Sequence, residues 1–202
     1  MRIIAGSLGG RRIKSPTTND IRPTSDKVKE AIFSMILPYT TGEFTAVDLF
    51  AGSGNMGIEA ISRGATKVFF TDASRQSLNL VRENLKLCDV EDKAVLISGD
   101  FRNNIRRIKD TVDIYFVDPP YADGYIPPAL WAINEAGNLR PGGIVVCEHS
   151  KKDVLDDEYP GFKKLKDRRY GAIAVTIYEK TAPESADDSA KEGAEESKEA
   201  EV

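Results

Sequence analysis

Apolar residues from position 45 onward fall alternately into short continuous runs and one-sided stripes with helical spacing. The runs 46–50, 67–71, 94–98, 112–117 and 144–148 predict strands. Segments 57–63, 74–87, 101–108 and 127–138 predict helices, the second with Leu78, Val81 and Leu85 inward. Such alternation implies an α/β fold, a mostly parallel sheet with helices on both faces. It breaks near the end: 162–170 and 172–179 are strand-like and joined at Gly171, with no room for a helix. They predict an antiparallel edge pair and bring the sheet to seven strands.

Before this region, 2–6 and 11–13 read as two short strands around Ser7-Leu8-Gly9-Gly10, a hairpin with a basic exposed side. Thr24 or Ser25 can cap a following helix that puts Val28, Ala31, Ile32, Met35 and Ile36 on one face and ends at Pro38. The expected organisation is a basic hairpin and helix over 1–40, one main domain over 41–180, and a tail over 181–202. That tail is rich in Ala, Glu and Ser and is expected to be disordered or transiently helical. A chain of 202 residues with 41% hydrophobic content has no room for a second full domain.

Charge changes the picture once the tail is set aside. The net charge is −4, but 181–202 hold eight acids against two bases, which leaves 1–180 at +2. The excess is local. Residues 1–38 carry seven bases against three acids, and 162–170 carry Lys163, Lys164, Lys166, Arg168 and Arg169 against Asp167 alone. Basic patches of this kind suit nucleic acid, although a charge run is commonly just a solvated face. Cys88 and Cys147 lie in no CxxC or His-rich context, so they read as core residues, with neither a disulfide framework nor a metal site. No apolar run is long enough for a signal h-region or a membrane span, and the expectation is a cytoplasmic protein.

The first strand of the main domain runs into Asp48-Leu49-Phe50-Ala51-Gly52-Ser53-Gly54-Asn55-Met56-Gly57, a GxGxxG between strand and helix. Such glycines let a ligand approach the backbone, and Asp72, ending the second strand, is placed to accept ribose hydroxyls. NAD and S-adenosylmethionine fit equally well so far. After the third strand, Asp100 can take an adenine amino group while Phe101 packs on the ring. After the fourth, Asp118-Pro119-Pro120-Tyr121 stiffens the backbone, because Asp118 and Pro119 each precede a proline and neither proline donates a hydrogen bond. A carboxylate, a carbonyl and an aromatic face then suit a flat ring bearing an exocyclic amino group. A hydride-transfer enzyme has no evident use for that ledge. The single histidine, His149, reads as an ordinary loop residue.

These loops together resemble the class I S-adenosylmethionine-dependent amino-methyltransferases. More closely, Met1-Arg2-Ile3-Ile4-Ala5-Gly6, Arg22-Pro23-Thr24-Ser25-Asp26, Phe50-Ala51-Gly52-Ser53-Gly54 and Val117-Asp118-Pro119-Pro120-Tyr121 resemble the bacterial 16S rRNA guanine-N2 methyltransferase family over 1–180. The resemblance implies a Rossmann-like fold and S-adenosylmethionine as cofactor. It implies that Asp48, Phe50, Gly52, Gly54 and Asp72 line the methionine and ribose portions, with Asp100 and Phe101 on the adenine. Asp118, Pro119, Pro120 and Tyr121 would hold the target base, and Arg2, Arg11, Arg12, Lys14 and Arg22 the surrounding phosphates. The implied partner is 16S rRNA in the small ribosomal subunit or its assembly intermediate, met by a monomer without membrane or metal. Glu148 also matches an acid of the family. Three readings compete: an adenine-N6 or other amino-methyltransferase on DNA or another RNA, an NAD-dependent oxidoreductase, and a non-catalytic RNA-binding module.

Overall fold

The computed structural model describes residues 1–16, 25–120 and 124–182. Helix α1 (Asp26–Met35) begins where the Ser25 hydroxyl accepts the Val28 amide, so Ser25 is the cap and Thr24 lies outside the described residues. The main domain follows as β1 (Phe44–Asp48), α2 (Asn55–Ser62), β2 (Ala65–Asp72), α3 (Arg75–Cys88), β3 (Ala94–Ser98), α4 (Phe101–Arg107), β4 (Val112–Val117), α5 (Ile126–Ala136), β5 (Leu139–Ser150), β6 (Glu158–Tyr159), β7 (Phe162–Tyr170) and β8 (Ile173–Lys180). All form one sheet in the order β3-β2-β1-β4-β5-β8-β7-β6. The first five strands in that order are parallel, and β8 lies beyond β5, antiparallel to both β5 and β7. The carboxyl ends of β1, β2, β3 and β4 therefore open on one edge.

Two apolar layers cover the sheet. One joins Ile3, Leu8 and Ile13 to α1, α2 and α3 over Phe70, Phe116 and Val175. The other packs α4 and α5 over Tyr115, Val145 and Tyr178. The amino-terminal segment is thus part of the main core, with Ile3 fully buried.

Several expectations change. The sheet has eight strands, because the two-residue β6 pairs with β7. The amino-terminal hairpin forms, but as one isolated bridge between Arg2 and Arg12 in place of two strands. Pro38 lies inside a 3-10 turn, Leu37–Tyr39, after α1 has ended at Met35. Strand β5 starts five residues earlier than expected: Leu139 pairs with Val112, and Pro141-Gly142 is absorbed by a shift of register. Gly143 permits this, since a Cβ there would lie 3.0 Å from the Asp113 carbonyl. The buried stripe of α1 is Val28, Lys29, Ile32 and Phe33, while Ala31 and Met35 are only half-buried. The helix is rotated from the apolar reading because the Lys29 ammonium finds acceptors in the interior.

Candidate active site

The loop between β1 and α2 is held by carboxylates. Asp48 is almost fully buried, and its Oδ2 accepts the Gly57 amide at 2.9 Å. Burial raises its pKa from 3.8 to about 7; the Gly57 hydrogen bond opposes the rise and the nearby Asp72 charge adds to it. Asp72 accepts the Gly52 amide at 2.9 Å through Oδ2 and the Ser74 amide at 2.8 Å through Oδ1. Each oxygen keeps lone-pair capacity for a ligand hydroxyl. The glycines have different reasons to be there. Gly52 sits at φ 53°, and a Cβ on it would meet only the Phe50 carbonyl, at 4.0 Å, so the loop presents bare backbone. At Gly57 a Cβ would lie 2.2 Å from the Phe70 ring, so this glycine lets α2 approach β2.

Asp100 caps α4, accepting the Arg102 amide at 3.0 Å. Phe101 belongs to an aromatic triad, its ring centroid 5.4 Å from Phe50 and 5.9 Å from Tyr125, with Phe50 and Tyr125 5.8 Å apart. Asp118, Pro119 and Pro120 follow β4 at the same edge. A cleft of about 520 Å³ gathers these groups: Asp48, Phe50, Gly52, Asp72, Asp100, Phe101, Asp118, Pro119 and Pro120 all line it. Gly54 does not; at φ 79° it precedes α2, turned towards Val81, Ile58 and Phe70. Tyr121 and Arg22 lie outside the described residues. Chemically, the cleft offers acceptors, aromatic faces and bare backbone within the usual size of a small-molecule site.

The family model described as "Conserved hypothetical protein 95" matches residues 1–179. Ribosomal RNA small subunit methyltransferase D of Haemophilus influenzae is 32% identical over 184 residues, covering 89% of this chain and 93% of that one. The chain belongs to the ribosomal RNA small subunit methyltransferase D family. YlbH of Bacillus subtilis is 36% identical over 183 residues, 89% of this chain and 99% of its own. The solved structure of Escherichia coli yhhF superposes with a TM-score of 0.80 at 25% identity, covering 91% of this chain and 99% of that one.

In this family member, the amino-terminal segment reaches the cleft, which Met1 and Pro16 also line. Polar side chains of three helices hold it there. The fully buried Glu59 carboxylate accepts the Ile4 and Ala5 amides at 2.7 and 3.1 Å, and also pairs with Lys29 and Arg63. Burial pushes the Glu59 pKa up, but the Ile4 amide, Arg63 and Lys29 together hold it below the usual value. Lys29 Nζ donates to the Arg2 carbonyl and to Asn55 Oδ1, both at 2.7 Å, and burial lowers its pKa against the pull of Glu59. Three of the basic residues expected to meet phosphates have partners within the chain. Arg2 pairs with Asp26 at 2.7 Å, Lys14 with Glu83 at 2.8 Å, and Arg11 donates to the Cys88 carbonyl at 3.0 Å. Arg12 is exposed.

Met1, Pro16 and Tyr125 were beyond sequence reasoning, because no periodicity links them to the strand ends. His149 is a correction: it lies within β5, nearly buried, its Nε2 2.9 Å from Thr176 Oγ1. The strand outruns the apolar stretch because β8 pairs with it as far as Ser150. Glu148 is buried beside it, facing Val175 across the ladder.

Proposed function

We propose that this protein transfers the methyl group of S-adenosylmethionine to the exocyclic N2 of a guanine in 16S rRNA, acting in the cytoplasm on the small ribosomal subunit or its assembly intermediate. The observation that carries the reading is one cleft lined both by the glycine loop with Asp72 and Asp100 and by Asp118-Pro119-Pro120. The Haemophilus influenzae and Escherichia coli relatives are both named ribosomal RNA small subunit methyltransferase D, which supports an rRNA substrate.

The residues present suit the cofactor. The bare backbone at Gly52 accommodates a close-lying ligand, Asp72 accepts ribose hydroxyls, Asp100 an adenine amino group, and Phe50 and Phe101 supply apolar faces. The sulfonium supplies an electrophilic methyl group, so the task left to the protein is to align the nucleophile. The lone pair of guanine N2 is delocalised into its ring. Asp118 and the Pro119 carbonyl each accept one amino hydrogen, which lets the nitrogen pyramidalise and turn its lone pair towards the cofactor, while Tyr121 stacks on the base. The proton leaves after transfer, to Asp118 or to water. A stacked guanine must first be extruded, at a cost on the order of a few kcal/mol, and residues 1–40 contribute contacts to the RNA around it.

Incubation with labelled S-adenosylmethionine and, separately, unmodified small subunits, naked 16S rRNA and DNA tests this. Label in N2-methylguanosine from rRNA is expected. Label in N6-methyladenosine or in DNA would overturn the substrate, and no transfer to any of them the activity.

A further inference from the structure

We infer that the turn joining β7 to β8, with the Lys151-Lys152 turn beside it, is a second RNA-contact surface flanking the target-base ledge. The inference rests on the RNA substrate proposed above. Strand β7 runs parallel to β5, so its end, Arg168, Arg169 and Tyr170, reaches the carboxyl edge of the sheet that also carries Asp118. The Lys151 amide donates to the Ala172 carbonyl at 3.0 Å, fixing Lys151 and Lys152 against the β7–β8 turn. Three strand spacings separate β4 from β7, roughly 14 Å along one edge.

The charges at this corner are available. Lys151, Lys152, Arg168 and Arg169 are all exposed, and among the described residues none forms an ion pair. Among the described residues Arg168 donates only to the Asp167 carbonyl, at 2.9 Å. Of the nearby acids, Asp167 accepts from Thr176, and Asp153 lies on the same turn as the lysines. Four bases against two acids leave the corner positive, whereas Arg2 and Lys14 of the amino-terminal hairpin are neutralised by Asp26 and Glu83. Tyr170 packs on the layer that holds the hairpin and α1, and side-chain alternation puts Arg168 on that face and Arg169 on the other. Cations on both faces of a strand end suit phosphates of a chain passing across the edge, a contact that positions the RNA without reading its sequence.

The test compares Arg168→Gln/Arg169→Gln with Lys109→Gln/Lys163→Gln, an equal charge change at the opposite edge. Binding to unmodified 16S rRNA is measured across a salt series, beside cofactor affinity. The first pair is expected to weaken RNA binding about tenfold at 0.1 M salt and to lower the salt slope by about 1.5, near 0.7 for each single-strand phosphate contact. Cofactor affinity and the control pair should match wild type. Equal loss from both pairs, or no loss from the first, overturns the inference. So does a first pair that impairs only small-subunit methylation, since the surface would then face protein. If wild type neither binds nor methylates RNA, it is the proposed function that fails.

Discussion

Asn84 in α3 donates from Nδ2 to the Ser53 carbonyl of the glycine loop at 2.9 Å, and its Oδ1 accepts the Lys14 amide at 2.8 Å. With a third bond to the Lys14 carbonyl at 3.1 Å, one fully buried carboxamide ties the glycine loop to the amino-terminal segment. Asn84→Ala leaves three backbone groups without this partner. A loss of roughly 2–3 kcal/mol is expected, with weaker S-adenosylmethionine binding. A denaturation curve superimposed on wild type would show that the bridge holds nothing.

Asp48 predicts an unusual pH dependence. Its folded pKa is raised from 3.8 to about 7, so the folded state keeps a proton that the unfolded chain releases. This contribution to stability is complete below 3.8 and is lost as pH rises through about 7. Asp48→Asn keeps an acceptor for the Gly57 amide but cannot ionise. Cofactor-free variant and wild type should be of similar stability near pH 4, and the variant should gain on wild type towards pH 8, by roughly 4 kcal/mol at most. Chemical denaturation at a series of pH values measures the difference; a constant gap contradicts the buried acid.

Asp118→Ala should lower kcat for methyl transfer by about 10²–10³, the usual effect of removing one group that stabilises the transition state. Cofactor affinity, measured calorimetrically, should stay within about twofold, because the groups proposed to hold the cofactor, at Gly52, Asp72 and Asp100, lie on other loops. Transfer at the wild-type rate would remove Asp118 from the chemistry.

The glycines of the loop should separate into two kinds. Gly57→Ala drives a methyl group into the buried Phe70 ring and should cost about 3 kcal/mol, at the upper end for overpacking, as α2 is pushed off β2. Gly52→Ala meets open space but at positive φ, so it should cost about 1 kcal/mol of stability and act chiefly on cofactor affinity. Melting temperatures and cofactor titration of the two variants give the comparison; equal effects on both quantities would refute the division.

What could be read without coordinates was whatever rests on periodicity. Strands β3 and β4 have the expected bounds because each is a β-prone run between breakers, and the charged β7 because Gly161 and Gly171 bracket it. Periodicity carries no sign of a buried polar group. Lys29 looks like a solvent-facing position, and its burial depends on Glu59, 30 residues on, together with the Arg2 carbonyl and Asn55. Asp72 and Asp100 were read for a ligand, and both line the cleft, but each also accepts backbone amides that fix the loops. That second duty leaves no trace in a linear pattern. Tyr125 joined the aromatic triad through tertiary packing alone.

The placement of β8 between β5 and β7 has a consequence for the order in which this protein is made. Synthesis delivers β1 to β5 first, and the sheet can then assemble as far as β5. Until Ile173–Lys180 has been added, Val145, Val146 and Cys147 form part of an apolar strand with no neighbour on that side. Such an edge invites pairing with another chain. The nascent protein therefore passes through an aggregation-prone stage that ends only when β8, the last strand in chain order among the described residues, has been translated, and any truncation before Ile173 makes that stage permanent.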